Sequence, residues 1–348
     1  MKVSFVSSQA ISQAMRYQMA RMQTDLVKAN KEMVTLRVAD PGLALGGRTG
    51  ISVSLHREIE RLNGLIDSNA LATSRLDSIQ VGLRQLTEAT GDLLAAFTTA
   101  YSGASDPKIA KQEAEAVLAT LTSVLNGNLN GEHLYAGINT DVKPLANFLD
   151  PTSQNRIEFE QAFVTAFGFA PDHPDAEFID AADMKDFLDN VIEPQIVGAG
   201  WEAYWSTATD QEITSRITLT ETAQTSVSAN IPGFRKLAMA AATIAATFGG
   251  PMGNGARDAA LDKAIALLGE VVNDLGSQQG YTGITQQRIE RANERMSMQI
   301  DLFKISLNNL EGVNEYEVAT RVSGLMAQLE ISYSLTARMQ QLSLLKFL

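Results

Sequence analysis

Residues 62–97, LNGLIDSNALATSRLDSIQVGLRQLTEATGDLLAAF, decide the fold class. Stepping through them at alternating spacings of three and four gives Leu62, Leu65, Asn69, Ala72, Leu76, Ile79, Leu83, Leu86, Thr90, Leu93 and Phe97. Nine of these eleven are apolar, where composition alone would supply about five. A helix over about Ser52 to Ala100 would be roughly 70 Å long at 1.5 Å per residue, far beyond the ordinary globular helix, and would need partners along its stripe. Asn69 and Thr90 either fix the register, as one polar residue at a seam position can, or mark turns where the stripe is exposed.

The same period continues outward on both sides. Upstream, Met15, Met19, Met22, Leu26, Ala29, Met33 and Leu36 are apolar at spacings of four and three, a coiled-coil-like seam. It reads either as ordinary core or, since no partner helix adjoins it before Pro41, as an interface whose thioethers suit neighbours of differing shape. Downstream, Asp106 is a good N-cap and Pro107 fits a first helical position, so a third helix is predicted through Val117, Leu121 and Val124 to Asn126 and Gly127. Further on, Leu261, Ile265, Leu268, Val272 and Leu275 mark a helix expected to close at Gly276 or Gly280. A last long helix carries Met296, Ile300, Phe303, Leu307 and Leu310. After a break at Gly312 it resumes with Val318, Val322, Leu325 and Leu329, towards Leu342 and Leu345.

Proline separates these arms from the middle. Seven of the nine prolines lie between Pro144 and Pro251, and residues 141–250 carry 6 basic and 16 acidic side chains, net -10, together with both tryptophans. The expectation is a mainly α protein, a long antiparallel helical bundle formed by N- and C-terminal arms, with an inserted small α+β or β-rich domain. The segments are an N-terminal assembly helix (1–40), rod segments (41–140 and 251–312), the insert (141–250) and a C-terminal assembly helix (313–348). The two arms form a matched pair with no third element left to cover them, so their exposed stripes are expected to be association surfaces completed by other subunits.

Composition narrows the chemistry. With 28 basic and 40 acidic residues the net charge is -12, which argues against nucleic acid as a partner. Cysteine is absent, which removes disulfides, thiolate nucleophiles and Cys-ligated zinc, and only three histidines exist. Neither a cofactor nor a metal is expected. The first thirteen residues lack the apolar core of a secretory leader. The most apolar run elsewhere, Leu237 to Phe248, would reach only about 18 Å as a helix, too short for the roughly 30 Å of a bilayer core, so no membrane partner is expected.

Several small constellations could carry chemistry, and each has a plainer reading. His133 beside Glu132 and Tyr135 lacks a nucleophile and reads as a turn residue with a local hydrogen bond. Asp180, Asp183, Asp186 and Asp189 recur every third residue without the glycine turn of a calcium loop and read as a solvated acidic face. Trp201 and Trp205, four apart, read as core. Gly253-Asn254-Gly255 lacks the rest of any phosphate-binding fingerprint and reads as a loop and cap. A wall-hydrolysing enzyme within 141–250, using Glu158 or Asp183, is the rival from another functional class.

Four stretches resemble the flagellin-like axial proteins of bacterial flagella. The first is Arg37-Val38-Ala39-Asp40-Pro41-Gly42-Leu43-Ala44-Leu45, an Arg-containing loop with an Asp-Pro pair, shorter here by an Asn-Ser stretch. The second, Asn130-Gly131-Glu132-His133-Leu134-Tyr135-Ala136-Gly137, is similar to a Gly-x-x-Leu-Phe/Tyr-x-Gly segment before the variable domain. The third is the Leu310-Glu311-Gly312 transition running to Ala319. The fourth is the Leu342-Ser343-Leu344-Leu345-Lys346-Phe347-Leu348 ending. Within that family the pattern is most similar to the hook-filament junction members, with flagellin as the nearest rival.

The resemblance implies a secreted, extracellular structural subunit at the junction, exported unfolded without a cleaved leader. It also implies the partners: copies of itself in a ring, hook-associated protein 1 on the hook side, flagellin on the filament side, and a flagellar export chaperone. Terminal arms of this kind are expected to be poorly ordered in a free subunit and to fold on assembly, when neighbours bury their stripes.

Overall fold

The computed structural model describes the backbone of residues 8–345 and the side chains of residues 10–338. Helix α1 (Ser8–Thr35) ends where Leu36 adopts φ +55°. Asp40 then caps the short α2 (Pro41–Leu45), its carboxylate accepting the Leu43 N–H at 3.1 Å, and a 3-10 turn at Gly46–Arg48 leads into the 53-residue α3 (Thr49–Tyr101). α4 (Pro107–Leu125) begins as predicted. The Asp106 carboxylate accepts the Lys108 N–H at 2.9 Å, Pro107 occupies the first turn and Asn126 closes the helix.

Two-residue strands β1 (Asn128–Leu129) and β2 (Glu132–His133) pair antiparallel around Asn130 and Gly131. Both loop residues have positive φ, 55° and 90°, the backbone that matches the twist of a tight hairpin. The inserted stretch is mainly helical: α5 (Gln154–Phe167), α6 (Ala181–Phe187) and α7 (Glu193–Ile196), with π-helical turns at Leu188–Ile192 and Trp201–Trp205. One hairpin follows, β3 (Thr214–Arg216) with β4 (Thr222–Gln224). The chain closes with α8 (Pro232–Thr247), the 58-residue α9 (Asn254–Glu311) and α10 (Glu315–Leu345).

α9 corrects the expectation of a helix end at Gly276 or Gly280, because it runs through both. Each glycine costs about 1 kcal/mol in a helix, but apolar anchors on either side (Leu275, Ile289) are buried and propagation needs no new nucleus. The predicted break at Gly312 is present. A Cβ there would lie 2.3 Å from the Asn308 carbonyl oxygen, and Asn314 starts α10 by accepting the Tyr316 N–H at 3.0 Å.

The chain forms two compact units, residues 1–64 with 295–348, and residues 65–294. In the second, α4 packs on α8, whose Ala-rich length is buried on nearly every side. Trp201 and Trp205 stack 5.5 Å apart within this core, with Phe148 stacked on Trp205 at 5.1 Å, as the plainer reading has it. Asn69 and Thr90 are both fully buried, so neither marks an exposed turn. The Asn69 Nδ2–H group donates to the Ile217 carbonyl at 3.0 Å and to Asn293 Oδ1 at 2.7 Å, which ties α3 to α9 in one register. Thr90 only bonds back to the Leu86 carbonyl, at 2.7 Å.

Candidate assembly surface

Within the first unit α1 and α10 run antiparallel. Gln23 Nε2–H donates to the Tyr333 hydroxyl at 2.7 Å, the Thr336 hydroxyl lies 3.9 Å from Met19 Sδ, and Ala29, Val318 and Val322 share a small buried cluster flanked by Leu26, Val313 and Leu325. Met15, Met19, Met22 and Leu26 are half-buried, and of these Met19 and Leu26 meet α10 of the same chain. Met33 and Leu36 at its end are exposed. Leu329 is buried; Leu342 and Leu345 lie outside the described side chains.

The faces turned away carry large apolar side chains into solvent: Tyr17, Val27 and Val34 on α1, and Tyr316, Ile331 and Leu335 on α10. On α9, Met298, Leu302 and Ile305 stand exposed at spacings of four and three, a further one-faced stripe.

Where α1 and α9 both stop, their ends are knotted together. The Val38 N–H donates to the Glu311 carbonyl at 2.8 Å and the Val313 N–H to the Leu36 carbonyl at 3.1 Å. The Glu311 side chain is only 4% exposed. Its carboxylate accepts from the Ser52 hydroxyl, from Arg37 Nη1–H at 3.5 Å and faces His56 Nε2 at 3.3 Å. A carboxylate at a helix C-terminus faces the negative end of the macrodipole, so burying it there requires such partners. A second carboxylate completes the knot: Glu32 accepts the Ala39 N–H at 3.0 Å and Arg321 Nη1–H at 3.1 Å.

Arg37 and Glu311, singled out by resemblance, are thus brought together, with Asp40 and Pro41 opening α2 next to them and Leu310 half-buried. Sequence reasoning missed Ser52, His56, Glu32 and Arg321. The one available signal was an acidic residue immediately before a helix-ending glycine.

The other motif residues sit in the second unit and serve packing. Gly131 is the second loop residue of the β1–β2 hairpin, and Leu134 is buried. The Tyr135 hydroxyl donates to the Ile79 carbonyl at 3.1 Å, and burial pushes its pKa far above that of a free phenol. Gly137 has φ +66° with the Thr209 backbone oxygen 2.4 Å from where a Cβ would stand, so no other residue fits.

The remaining constellations take their plainer readings. His133 Nδ1 pairs with the Asn126 carbonyl at 2.9 Å. Asp180 caps α6, Asp183 and Asp186 are exposed, and Asp189 pairs with Lys185 and with Lys263 at 2.7 Å. Glu158 accepts from Gln154 at 2.7 Å on α5. Among the described residues no helix is long and apolar enough to cross a membrane.

Comparison with known proteins agrees with this architecture. Residues 6–140 match the bacterial flagellin N-terminal helical region and residues 265–348 the bacterial flagellin C-terminal helical region. No curated protein matches the chain in sequence. A solved structure from Vibrio parahaemolyticus, called a flagellar hook-associated protein, is similar in fold at 10% identity, with a TM-score of 0.52 over 76% of this chain and 97% of that one. The two flagellin regions together take in well over half of the residues, and the chain belongs to the flagellin-like family of flagellar structural subunits.

Proposed function

We propose that the chain is a hook-filament junction subunit, of the kind called hook-associated protein 3, which joins the hook side of the flagellum to the filament by helical packing. It acts outside the cell and performs no chemistry. Its partners are copies of itself in a ring, hook-associated protein 1 on one side, flagellin on the other, and an export chaperone beforehand. Residues 1–40 and 313–348 supply the assembly helices, 41–140 and 251–312 the rod, and 141–250 the insert.

The supporting observation is the thinness of cover on the α1–α10 pair. Among its described residues only Ala29, Val318, Val322 and Leu329 are buried apolar side chains. At no more than about 1.5–3 kcal/mol each, they are few against an ordering cost of roughly 1–2 kcal/mol per residue over helices of 28 and 31 residues. Half-buried Met15, Met19, Met22 and Leu26, exposed Met33 and Leu36, and the outward stripe of Tyr17, Val27, Val34, Tyr316, Ile331 and Leu335 are then completed by neighbouring subunits.

Deleting Leu342 to Leu348 should leave the central unit folded and abolish filament attachment; normal swimming of cells carrying that deletion would overturn the assignment. Flagellin itself is the second reading, supported by the two matched regions, and copy number separates them. A few copies per flagellum fit a junction, thousands a filament.

A further inference from the structure

α9 changes character part-way along. From Ala260 to Leu275 its inward positions, Ala260, Leu261, Ala264, Leu268, Val271 and Leu275, are apolar and lie in the main core. The next buried apolar residue is Ile289, in a separate small cluster with Ala72, Leu76, Ile217 and Ala223. Between these clusters, residues 276–288 bury only Thr282 and Thr285. Both hydroxyls bond back one turn, to the carbonyls of Gln278 (2.9 Å) and Tyr281 (3.1 Å), a pattern that weakens and bends helices.

The same segment holds Gly276, Gly280 and Gly283. A Cβ added at Gly276 or Gly280 would meet nothing within 4 Å, so close packing does not require glycine there, and each lowers the helical equilibrium about fivefold relative to alanine. Its ties to α3 are polar. Gln279 Nε2–H donates to Thr87 Oγ1 at 2.8 Å and Gln286 Nε2–H to Asp77 Oδ1 at 2.6 Å. Gln80 Nε2–H donates to the Gln279 carbonyl at 2.8 Å. In a regular helix that carbonyl serves the N–H of Gly283, so a turn opened at 279–283 already has a replacement donor for it.

We infer that residues 276–288 are a locally opening segment of α9: their helix hydrogen bonds break and re-form while the apolar stretch before them stays folded, with Gln80 retaining hold of Gln279. A long helix with one such section changes curvature there and leaves the α4–α8 core undisturbed. The inference is independent of which member of the family the chain is.

Hydrogen exchange with mass spectrometry on the full chain tests it. Amides of 277–287 should exchange at least about tenfold faster than those of 260–275. Gly276→Ala with Gly280→Ala should slow 277–287 by about fivefold per substitution while leaving 260–275 unchanged. Gly269→Ala, whose methyl also enters open space but lies in the apolar stretch, should leave 277–287 as it was. Uniform exchange along 260–287, no response to the paired alanines, or equal slowing of both stretches would each show that α9 opens only with the whole unit, and would overturn the inference.

Discussion

Arg37 and Glu311 stand 274 residues apart in the chain and meet at 3.5 Å, where two of its long helices end together. The backbone bridge between Arg37 and Gly312 fixes their approach, and the buried carboxylate binds three side chains at once. Removing it leaves the Ser52 hydroxyl without its acceptor. Glu311→Ala should destabilise the first unit by about 1–3 kcal/mol, and Glu311→Gln, which keeps one acceptor, by less. Arg37→Ala should do less than either, since Arg37 is 43% exposed. Protection of α1 and α10 in hydrogen exchange is the readout; equal effects from all three would argue against a buried carboxylate at the centre of the knot.

Leu36 adopts a left-handed backbone that suits glycine at the residue after a helix. Leu36→Gly should therefore stabilise the monomer by roughly 1 kcal/mol. If the exposed Leu36 side chain is covered by a neighbour, the same variant should assemble less well. Thermal unfolding and polymerisation yield, measured side by side, separate the two effects.

Tyr135 and Gly82 are fitted to one another: a Cβ on residue 82 would lie 2.5 Å from the Tyr135 hydroxyl oxygen. Gly82→Ala should cost about 1–3 kcal/mol and Tyr135→Phe at most about 1 kcal/mol. The double variant should be more stable than the sum of the two predicts, which a double-mutant cycle in denaturant measures. Because burial raises the phenol's pKa, the folded state keeps a proton that the unfolded chain loses near pH 10. Stability is intact below that value and falls as pH rises beyond it. The alkaline decline should be shallower in Tyr135→Phe.

Asp189 titrates in the opposite sense. Hydrogen bonds from Lys185 and Lys263 hold its carboxyl below the usual range, so its contribution is present above about pH 4 and disappears as acid protonates it. Asp189→Asn should lower the denaturation midpoint at pH 6, by a small margin because the site is partly solvated, and the difference should shrink as acid protonates the parent's carboxyl.

Much of the fold is legible in the sequence where a rule acts locally. The stripe from Leu62 to Phe97 gave α3, Asp106-Pro107 gave the start of α4, and Gly312 gave the break before α10. What stayed hidden depends on distant partners. Gly276 and Gly280 look like helix ends until Leu275 and Ile289 are known to be anchored on either side. The Met15 seam looks uncovered until α10 is placed against it, because nothing near Met19 announces Thr336. Ser52 and His56 carry no mark of their role either; only the awkward position of Glu311 hints that something must surround it.

The antiparallel match of α1 with α10 has a consequence for biosynthesis. A ribosome makes Val318 and Val322 long after Ala29, so α1 lacks these partners while everything between the two helices is synthesised. A message cut short before residue 318 would yield a product in which Ala29 lacks Val318 and Val322, leaving α1 only the ties around Glu311 and Val313. Synthesis of α10 thereby becomes a precondition for α1 to bury Ala29.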